Sequence, residues 1–409
     1  MCYNPPTMLL EHLSLANFRN YARLELDMPH NVGLLVGENG QGKSNLLEAI
    51  YYLATTRSYR ASNDRELINW LATNEPLPHA RLVAKVHRQG GAVQLELTLL
   101  GQPERPSDEA PTDEDGLNGR LSLFQPPTAS LQKKIRVNGV PKRAIDVIGQ
   151  VNVVMFGPQD LDLVSGAPAL RRRYLDATLC QTNRRYVRVL QRYNRVVTQR
   201  NHLLRRINAG HAHPEELAYW DDELITLGSQ IIANRREALS LLDGMARDIN
   251  GQLTDGQEHL HIAYRCSIET GDDIAAGFRD ALARYRARDI QAGMSLLGPH
   301  RDDLAFLVDG VDMRIYGSRG QQRTVALSLK FAEARYMCGV VGEEPILLLD
   351  DIMSELDTNR RRWVLQAIEG GGQVIITATD VDAYSPQFLD RTVVMHVRAG
   401  IIEQIGIAH

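Results

Sequence analysis

The chain has 409 residues, of which 44% are apolar and 23% charged, and its formal net charge is −4. That length suggests two or three domains at roughly 150 residues each, and the mild acidity confines any nucleic-acid surface to a local patch. No apolar run reaches the roughly 18–20 residues of a membrane span, and the start lacks the basic-then-apolar pattern of a secretory signal. The four cysteines, Cys2, Cys180, Cys266 and Cys338, form no CxxC pair and no metal spacing, which predicts a reducing, cytoplasmic setting.

In chain order, residues 9–100 read as strands with one early helix. "VGLLVGENGQGKSNLLEAIYYLAT" is a strand over Leu34–Val36, a glycine-rich turn, and a helix from about Lys43. "RLVAKVH" and "AVQLELTLL" alternate in polarity and predict two strands of a meander. Residues 101–119, rich in proline and acid, predict a mobile hairpin loop. "KKIRVNGVPKR" predicts a hairpin turning at Asn138-Gly139.

The pattern then changes. From Ala169 to Arg206 there is neither proline nor glycine, and apolar residues recur at Tyr186, Leu190, Tyr193, Val197 and Leu204, with one miss at Arg200. A second run carries Leu217, Trp220, Leu224, Leu227, Ile231, Ala238 and Leu241. Both periods predict long helices packed as an antiparallel hairpin, about 45 Å long at ~1.5 Å per residue. From about Met294 strands and helices alternate again. The division is therefore 1–165, a helical arm over 166–293, and 294–409, in an α/β chain.

Gly37–Ser44, "GENGQGKS", matches the phosphate-loop pattern G-x-x-x-x-G-K-[ST] between a strand and a helix. Gly37, Gly40 and Gly42 let the backbone wrap a polyphosphate closely with its amides, with Glu38, Asn39 and Gln41 between them. Lys43 brings a point charge to the β/γ phosphates of ATP, and the Ser44 hydroxyl suits Mg²⁺. "PILLLDDIMSELD" places Asp350 and Asp351 at the end of a continuous apolar run, hence of a buried parallel strand. Asp350 suits Mg²⁺, directly or through water, and Asp351 suits orienting or deprotonating an attacking water. Thr377 and Thr379 end another strand within reach of the γ-phosphate region.

Eleven arginines lie between Arg171 and Arg206, against the single acid Asp176. Such a segment reads as a sequence-independent track for duplex DNA, centred on Arg184, Arg185, Arg188, Arg192 and Arg195. A solvated helix face paired to acids such as Glu215, Glu216, Asp221, Asp222 and Glu223 is the alternative. His300 is open to a structural or a nucleotide-site role, and Arg19 and Arg60 to nucleotide contact or a surface salt bridge. Trp70, Trp220 and Trp363 read as packing residues.

The motifs "LANFRNY", "GENGQGKS", "FGPQDL", "GPHRDDL", "GSRGQQR" and "DDIMSELD" occur in this order. The set resembles the ABC-type ATPase heads of the SMC-like DNA-repair proteins, and among these the RecF family, over nearly the whole chain. Only "MCYNPPT" and the acidic loop stand outside it, which leaves Met8 as an alternative start. The resemblance implies an ABC-type head, a mixed sheet plus an antiparallel meander, with the arm inserted as a short antiparallel coiled coil. It implies that Gln159 sits near Mg²⁺ and the lytic water, and that Ser318, Arg319, Gly320 and Gln321 are a signature acting on the nucleotide of a second copy. Ser354 to Asp357 would form the loop crossing a homodimer interface, with Thr377 at the switch position. Asp351 stands where transporters carry Glu, which suggests slow hydrolysis suited to a switch, weakly stimulated by DNA. Partners implied are duplex and gapped DNA, RecR and, through it, RecA, with no membrane. A transporter ATPase and a scaffold without turnover are the rival readings.

Overall fold

The computed structural model describes residues 7–101, except 73, 74 and 76, and 131–405, except 270 and 272. The predicted loop over 101–119 lies, beyond Gly101, outside the described residues. The central sheet runs in the order Ile401–Ile405, Thr392–Arg398, Val32–Val36, Val374–Ala378, Ile346–Asp350, Val153–Phe156. Its last five strands are parallel, and Ile401–Ile405 pairs antiparallel at one edge. Parallel strands covered on both faces need apolar residues at every position, which is why "ILLLD" and "VIITA" show no alternation. Leu348 and Ile375 face one apolar core, and Leu349 and Ile376 face the other.

A six-stranded antiparallel meander, from Tyr21–Asp27 through Leu9–Phe18, His79–Arg88, Gly91–Gly101 and Leu131–Val137 to Val140–Lys142, covers the first face. Its alternating strands point Leu13, Leu15, Leu82 and Leu97 inward onto the phosphate-loop helix, Lys43–Thr55. The expected turn is present: Asn138 and Gly139 both have positive φ, 50° and 78°, as a two-residue hairpin of the primed type requires. The second face is covered by the helix Arg319–Val341, whose Val325, Leu329 and Ala332 are buried.

The arm is built from Pro168–Thr182, Arg184–Asn208, Leu217–Leu253 and Ile274–Ala292. The proline-free stretch is two helices, because Asn183 leaves helical geometry and its side-chain oxygen accepts the amides of Arg185 and Tyr186 at 3.0 Å each. The hairpin of Arg184–Asn208 and Leu217–Leu253 is present, but a third helix, Ile274–Ala292, packs against both. Asp303–Val308 pairs with Leu260–Arg265 on one side and Val311–Asp312 on the other in a three-stranded sheet, which therefore joins residues on both sides of 293/294.

The apparent miss in the seam at Arg200 is a fully buried arginine. Its Nε donates to Asp221 Oδ1 at 2.8 Å, and its Nη1 donates to Asp289 Oδ2 at 2.7 Å and to Ser295 Oγ at 2.8 Å. A buried charge must be paired, so the seam accepts arginine only because acids come from two other helices. Leu241, expected in the seam, is half-exposed, and Leu242 holds the buried position instead. Trp220 and Trp363 pack against the core as expected, whereas Trp70 is 71% exposed.

His300 belongs to the arm's core. Its Nδ1 accepts the Tyr193 hydroxyl at 2.7 Å, leaving Nε2–H to donate to Ser295 O at 3.1 Å. Burial pushes it down to about 4, against the weaker opposing effect of the Ser295 carbonyl. An imidazole depressed in the folded state resists protonation there, so its stability contribution is complete above its ordinary value near 6.5 and is lost as pH falls toward 4. The expected loss from this group is about 3 kcal/mol across that window. Urea unfolding of the parent and of His300→Gln between pH 4 and pH 7 checks it: the variant should show the weaker pH dependence.

Candidate nucleotide site

The site forms where the parallel strands end. Val32–Val36 runs into Gly37–Ser44, which turns directly into the helix at Lys43. Two glycines are demanded by space. A Cβ on Gly37 would lie 2.3 Å from the Val397 carbonyl oxygen, and Gly42 has φ 120° with the Asn20 amide 2.6 Å from where its Cβ would be. Gly40 is exposed at the tip of the loop, and a Cβ there would meet no protein atom within 4 Å. Its φ of 81° by itself favours glycine, because the chain reverses there in a conformation that a side chain would strain.

The loop is held open by residues outside the motif. Asn20 Nδ2 donates to Gln41 O at 2.9 Å, and the Tyr21 hydroxyl donates to Gly42 O at 2.9 Å. The Gln41 side chain accepts the Ala399 amide at 2.7 Å, and its carbonyl accepts Gly400 N at 3.0 Å. Sequence reasoning gave Asn20 and Tyr21 no role. The only signal available was a polar pair at a tight strand turn, which does not say what it faces.

Lys43 Nζ bonds back to the carbonyls of Gly37 at 2.5 Å and Glu38 at 2.9 Å, so the ammonium lies across the loop it is to serve. Burial lowers its pKa, opposed by the nearby charges of Asp351 and Asp350. Arg19 is in a salt bridge that is largely buried rather than at the surface: its guanidinium forks onto the fully buried Glu48 of the phosphate-loop helix, at 2.9 and 2.8 Å. Arg60 Nη1 donates to Asn45 Oδ1 at 3.3 Å.

Residues 306 apart meet at the strand end. Ser44 Oγ donates to Asp350 Oδ1 at 2.7 Å. Thr377 Oγ1 donates to the same oxygen at 2.9 Å and accepts the Asp351 amide at 2.9 Å. Ser354 Oγ donates to the Asp351 carbonyl at 2.8 Å. Asp351 is left-handed, φ 50°, a conformation that aspartate tolerates better than most residues. The hydroxyl of Thr377 faces the two aspartates, and the residue is fully buried. Thr379 bonds Asp380 at the surface.

The donor set fits a small hard cation. Ser44 Oγ and the Asp350 carboxylate are hard oxygen ligands, and among the described residues no side chain bonds Asp350 Oδ2. No cluster of three or more acidic, histidine or cysteine ligands occurs among the described residues. Such a site suits Mg²⁺ completed by phosphates and water rather than an all-protein cage.

Gln159 is exposed on the short turn Pro158–Asp160, after Val153–Phe156, the parallel neighbour of Ile346–Asp350. Beside it, a cavity of about 50 Å³ is lined by Gly157, Asp160, Arg323, Lys330 and Glu355. Burial pushes the Asp160 carboxyl up to about 6, with Lys330 acting in opposition. The buried ion pair of Lys330 with Glu333, at 2.5 Å, was not foreseen, because nothing in an apolar helix pattern marks two charges for its buried face.

Ser318 caps the helix Arg319–Val341, and it and Gln321 form a reciprocal capping box. The Gln321 amide reaches Glu258 Oε1 at 2.9 Å. Ser318 and Arg319 are exposed, and no hydrogen bond among the described residues joins Ser318–Gln321 to Gly37–Ser44. Arg323 ties this helix to Glu355, between Ser354 and Asp357, with Nη2 3.0 Å from Oε2. Asp357 caps the next helix, accepting the amides of Asn359 and Arg360.

On the arm, Arg184, Arg185, Arg188, Arg192 and Arg195 are all exposed. Arg184, Arg188, Arg192 and Arg195 follow one helix face at steps of four, four and three. Arg192 also pairs with Glu223 at 2.7 Å. Arg171, like Arg200, is buried, forked onto Asp303 at 2.7 and 3.0 Å, so these two are structural.

Comparison with known proteins agrees with this geometry. The family model described as RecF/RecN/SMC N terminal domain matches residues 9–402. A DNA replication and repair protein RecF of Herpetosiphon aurantiacus is 43% identical, covering 97% of this chain and 99% of its own. One of Halalkalibacterium halodurans is 38% identical, covering 98% of this chain and 100% of its own. The solved structure of the recombination mediator protein RecF with ATP, in the RecFOR pathway, matches at a TM-score of 0.83 and 29% identity, covering 99% of this chain and 100% of that one. An Smc head domain from Pyrococcus furiosus shares the fold at a TM-score of 0.53 and 14% identity, covering 98% of this chain and 96% of that one. No helix among the described residues is long and apolar enough to cross a membrane. The chain belongs to the RecF/RecN/SMC N-terminal domain family, and within it to the RecF group of ABC-type ATPase heads.

Proposed function

We propose that this protein is an ATP-driven DNA clamp of replication and gap repair. Two copies close head to head on ATP, hold DNA, and release it after slow hydrolysis stimulated by DNA. The observation that carries this reading is the meeting of Ser44, Asp350, Asp351 and Thr377 beside the phosphate loop, with the signature exposed and unconnected to that loop in its own chain. A half-site of this kind is completed by a second copy, related by a two-fold axis that puts each signature on the other's nucleotide.

In the closed pair the amides of Gly37–Ser44 and the charge of Lys43 hold the phosphates. Mg²⁺ held by Ser44 and Asp350 would neutralise charge on the β- and γ-phosphates. Asp351 takes a proton from water as its oxygen bonds to the γ-phosphorus, and the bond to the β–γ bridging oxygen breaks, leaving ADP and phosphate. Gln159 orients that water. Ser318 and the amides at the start of its helix, with their positive dipole end, face the same γ-phosphate across the interface. Ser354 and Asp357 cross the interface beside it. The exposed arm arginines hold the DNA backbone without reading sequence. Kinship with recombination mediators supports gapped duplex DNA as the target, and RecR as the partner through which RecA is loaded.

Sedimentation with ATP, with ADP and without nucleotide, with and without duplex DNA, tests the reading. The parent should dimerise and bind DNA only with ATP, and Lys43→Met should do neither. Reversing Arg184, Arg185 and Arg188 to Glu should spare the ATP-dependent dimer but weaken DNA binding on every sequence, with a salt slope shallower by about 3. Unchanged DNA affinity in that variant removes the arm from the interface.

A further inference from the structure

We propose that Thr377 is a positioning residue that sets both aspartates through one hydroxyl used in two directions. The proposal rests on the reading that Asp350 and Asp351 serve ATP hydrolysis. Thr377 lies directly opposite Asp350 in the parallel ladder and is fully buried. A hydroxyl has one proton to give. Here it goes to Asp350 Oδ1 at 2.9 Å, while a lone pair of the same oxygen takes the Asp351 amide at 2.9 Å. Asp350 Oδ1 also receives Ser44 Oγ at 2.7 Å, so two hydroxyls fix the rotation of that carboxylate and turn its other oxygen away from both.

The second bond acts on backbone. Asp351 is left-handed, and its amide and carbonyl are each held by a hydroxyl, Thr377 on one side and Ser354 at 2.8 Å on the other. Where a residue sits in this conformation, its side-chain direction depends on such anchors. Threonine's branched Cβ restricts its χ1, so its oxygen is pre-aimed. A hydroxyl engaged in this way donates to a γ-phosphate only by withdrawing its one proton from Asp350. Thr377 therefore acts through the aspartates and not on the nucleotide.

Thr377→Val keeps the shape and removes the hydroxyl, and Thr377→Ser keeps the hydroxyl. Misplacing a reacting group by a fraction of an ångström should slow single-turnover hydrolysis in the valine variant about tenfold or more. Its affinity for a fluorescent ATP analogue should stay within about threefold, because the loop that binds phosphate is intact, and its ATP-dependent dimer should persist in sedimentation. The serine variant should recover to within about threefold of the parent rate. Hydrogen exchange on the unmodified protein reads the wiring without any variant: the Asp351 amide should exchange about a hundredfold slower than a free peptide amide. A parent-like rate in Thr377→Val while Asp351→Asn is inactive overturns the role of Thr377 alone. Serine as slow as valine, or an unprotected Asp351 amide, overturns it too. A parent-like rate in Asp351→Asn instead removes the reading beneath it.

Discussion

Ser318→Arg should leave ATP bound to the single chain and abolish the ATP-dependent dimer, and turnover with it. The monomer is spared because Ser318 makes no contact with the phosphate loop of its own chain; its hydroxyl only accepts the Gln321 amide, at 3.2 Å. Losing that cap costs about 1 kcal/mol, small beside the roughly 5–15 kcal/mol that keeps a domain folded. In the proposed closed pair the dimer should fail because a long side chain would fill the place of the partner's γ-phosphate, and the short donor is gone. Titration with a fluorescent ATP analogue and sedimentation velocity, run on the same sample, separate the two effects. Loss of ATP binding by the monomer would place this helix start on the wrong side of the nucleotide.

Asp351→Asn should reduce single-turnover hydrolysis by about a hundredfold to ten-thousandfold while leaving ATP affinity and ATP-driven dimerisation intact. The substitution removes the basic oxygen and little else. Asparagine tolerates the left-handed backbone at this position as aspartate does, and its amide still meets Thr377 Oγ1. Phosphate binding stays with Gly37–Ser44 and Lys43. If release from DNA follows hydrolysis, the variant should also hold DNA longer once ATP is bound. A quench-flow measurement at saturating ATP checks the rate, and a parent-like value removes Asp351 as the base.

Much of the site was legible because its parts are local. A phosphate loop needs glycines, a lysine and a hydroxyl at fixed spacing between a strand and a helix, and Val32–Thr55 carries all of them contiguously. What the spacing could not tell apart is what each glycine meets within the chain: Gly37 and Gly42 answer to neighbours 360 and 22 residues away, Val397 and Asn20, and Gly40 to its own backbone angle. The buried parallel strand at Ile346–Asp350 announces itself by continuous apolarity, and the turn at Asn138-Gly139 by its residues. The arm's two periods gave its hairpin. They could not reveal that Arg200 sits in the seam, because its partners Asp221 and Asp289 come from helices 21 and 89 residues away. Eleven arginines in one segment looked alike in sequence, yet Arg171 and Arg200 are buried in ion pairs and Arg184, Arg185, Arg188, Arg192 and Arg195 lie in solvent.

By itself, then, the sequence determined the phosphate-loop motif, the α/β framework and the insertion of a helical arm, since each depends on residue order within a few turns of chain. Only the tertiary structure decided which hydroxyls and carboxylates act together. Asp350, Asp351 and Thr377 come from the ends of two strands and Ser44 from the helix that follows a third, and parallel pairing aligns those ends at one edge of the sheet. It likewise decided that Arg19 pairs with Glu48, that His300 bonds Tyr193 and that Asn20 and Tyr21 hold the phosphate loop. Those roles are set by which chain segment packs opposite, a long-range fact that no local pattern encodes.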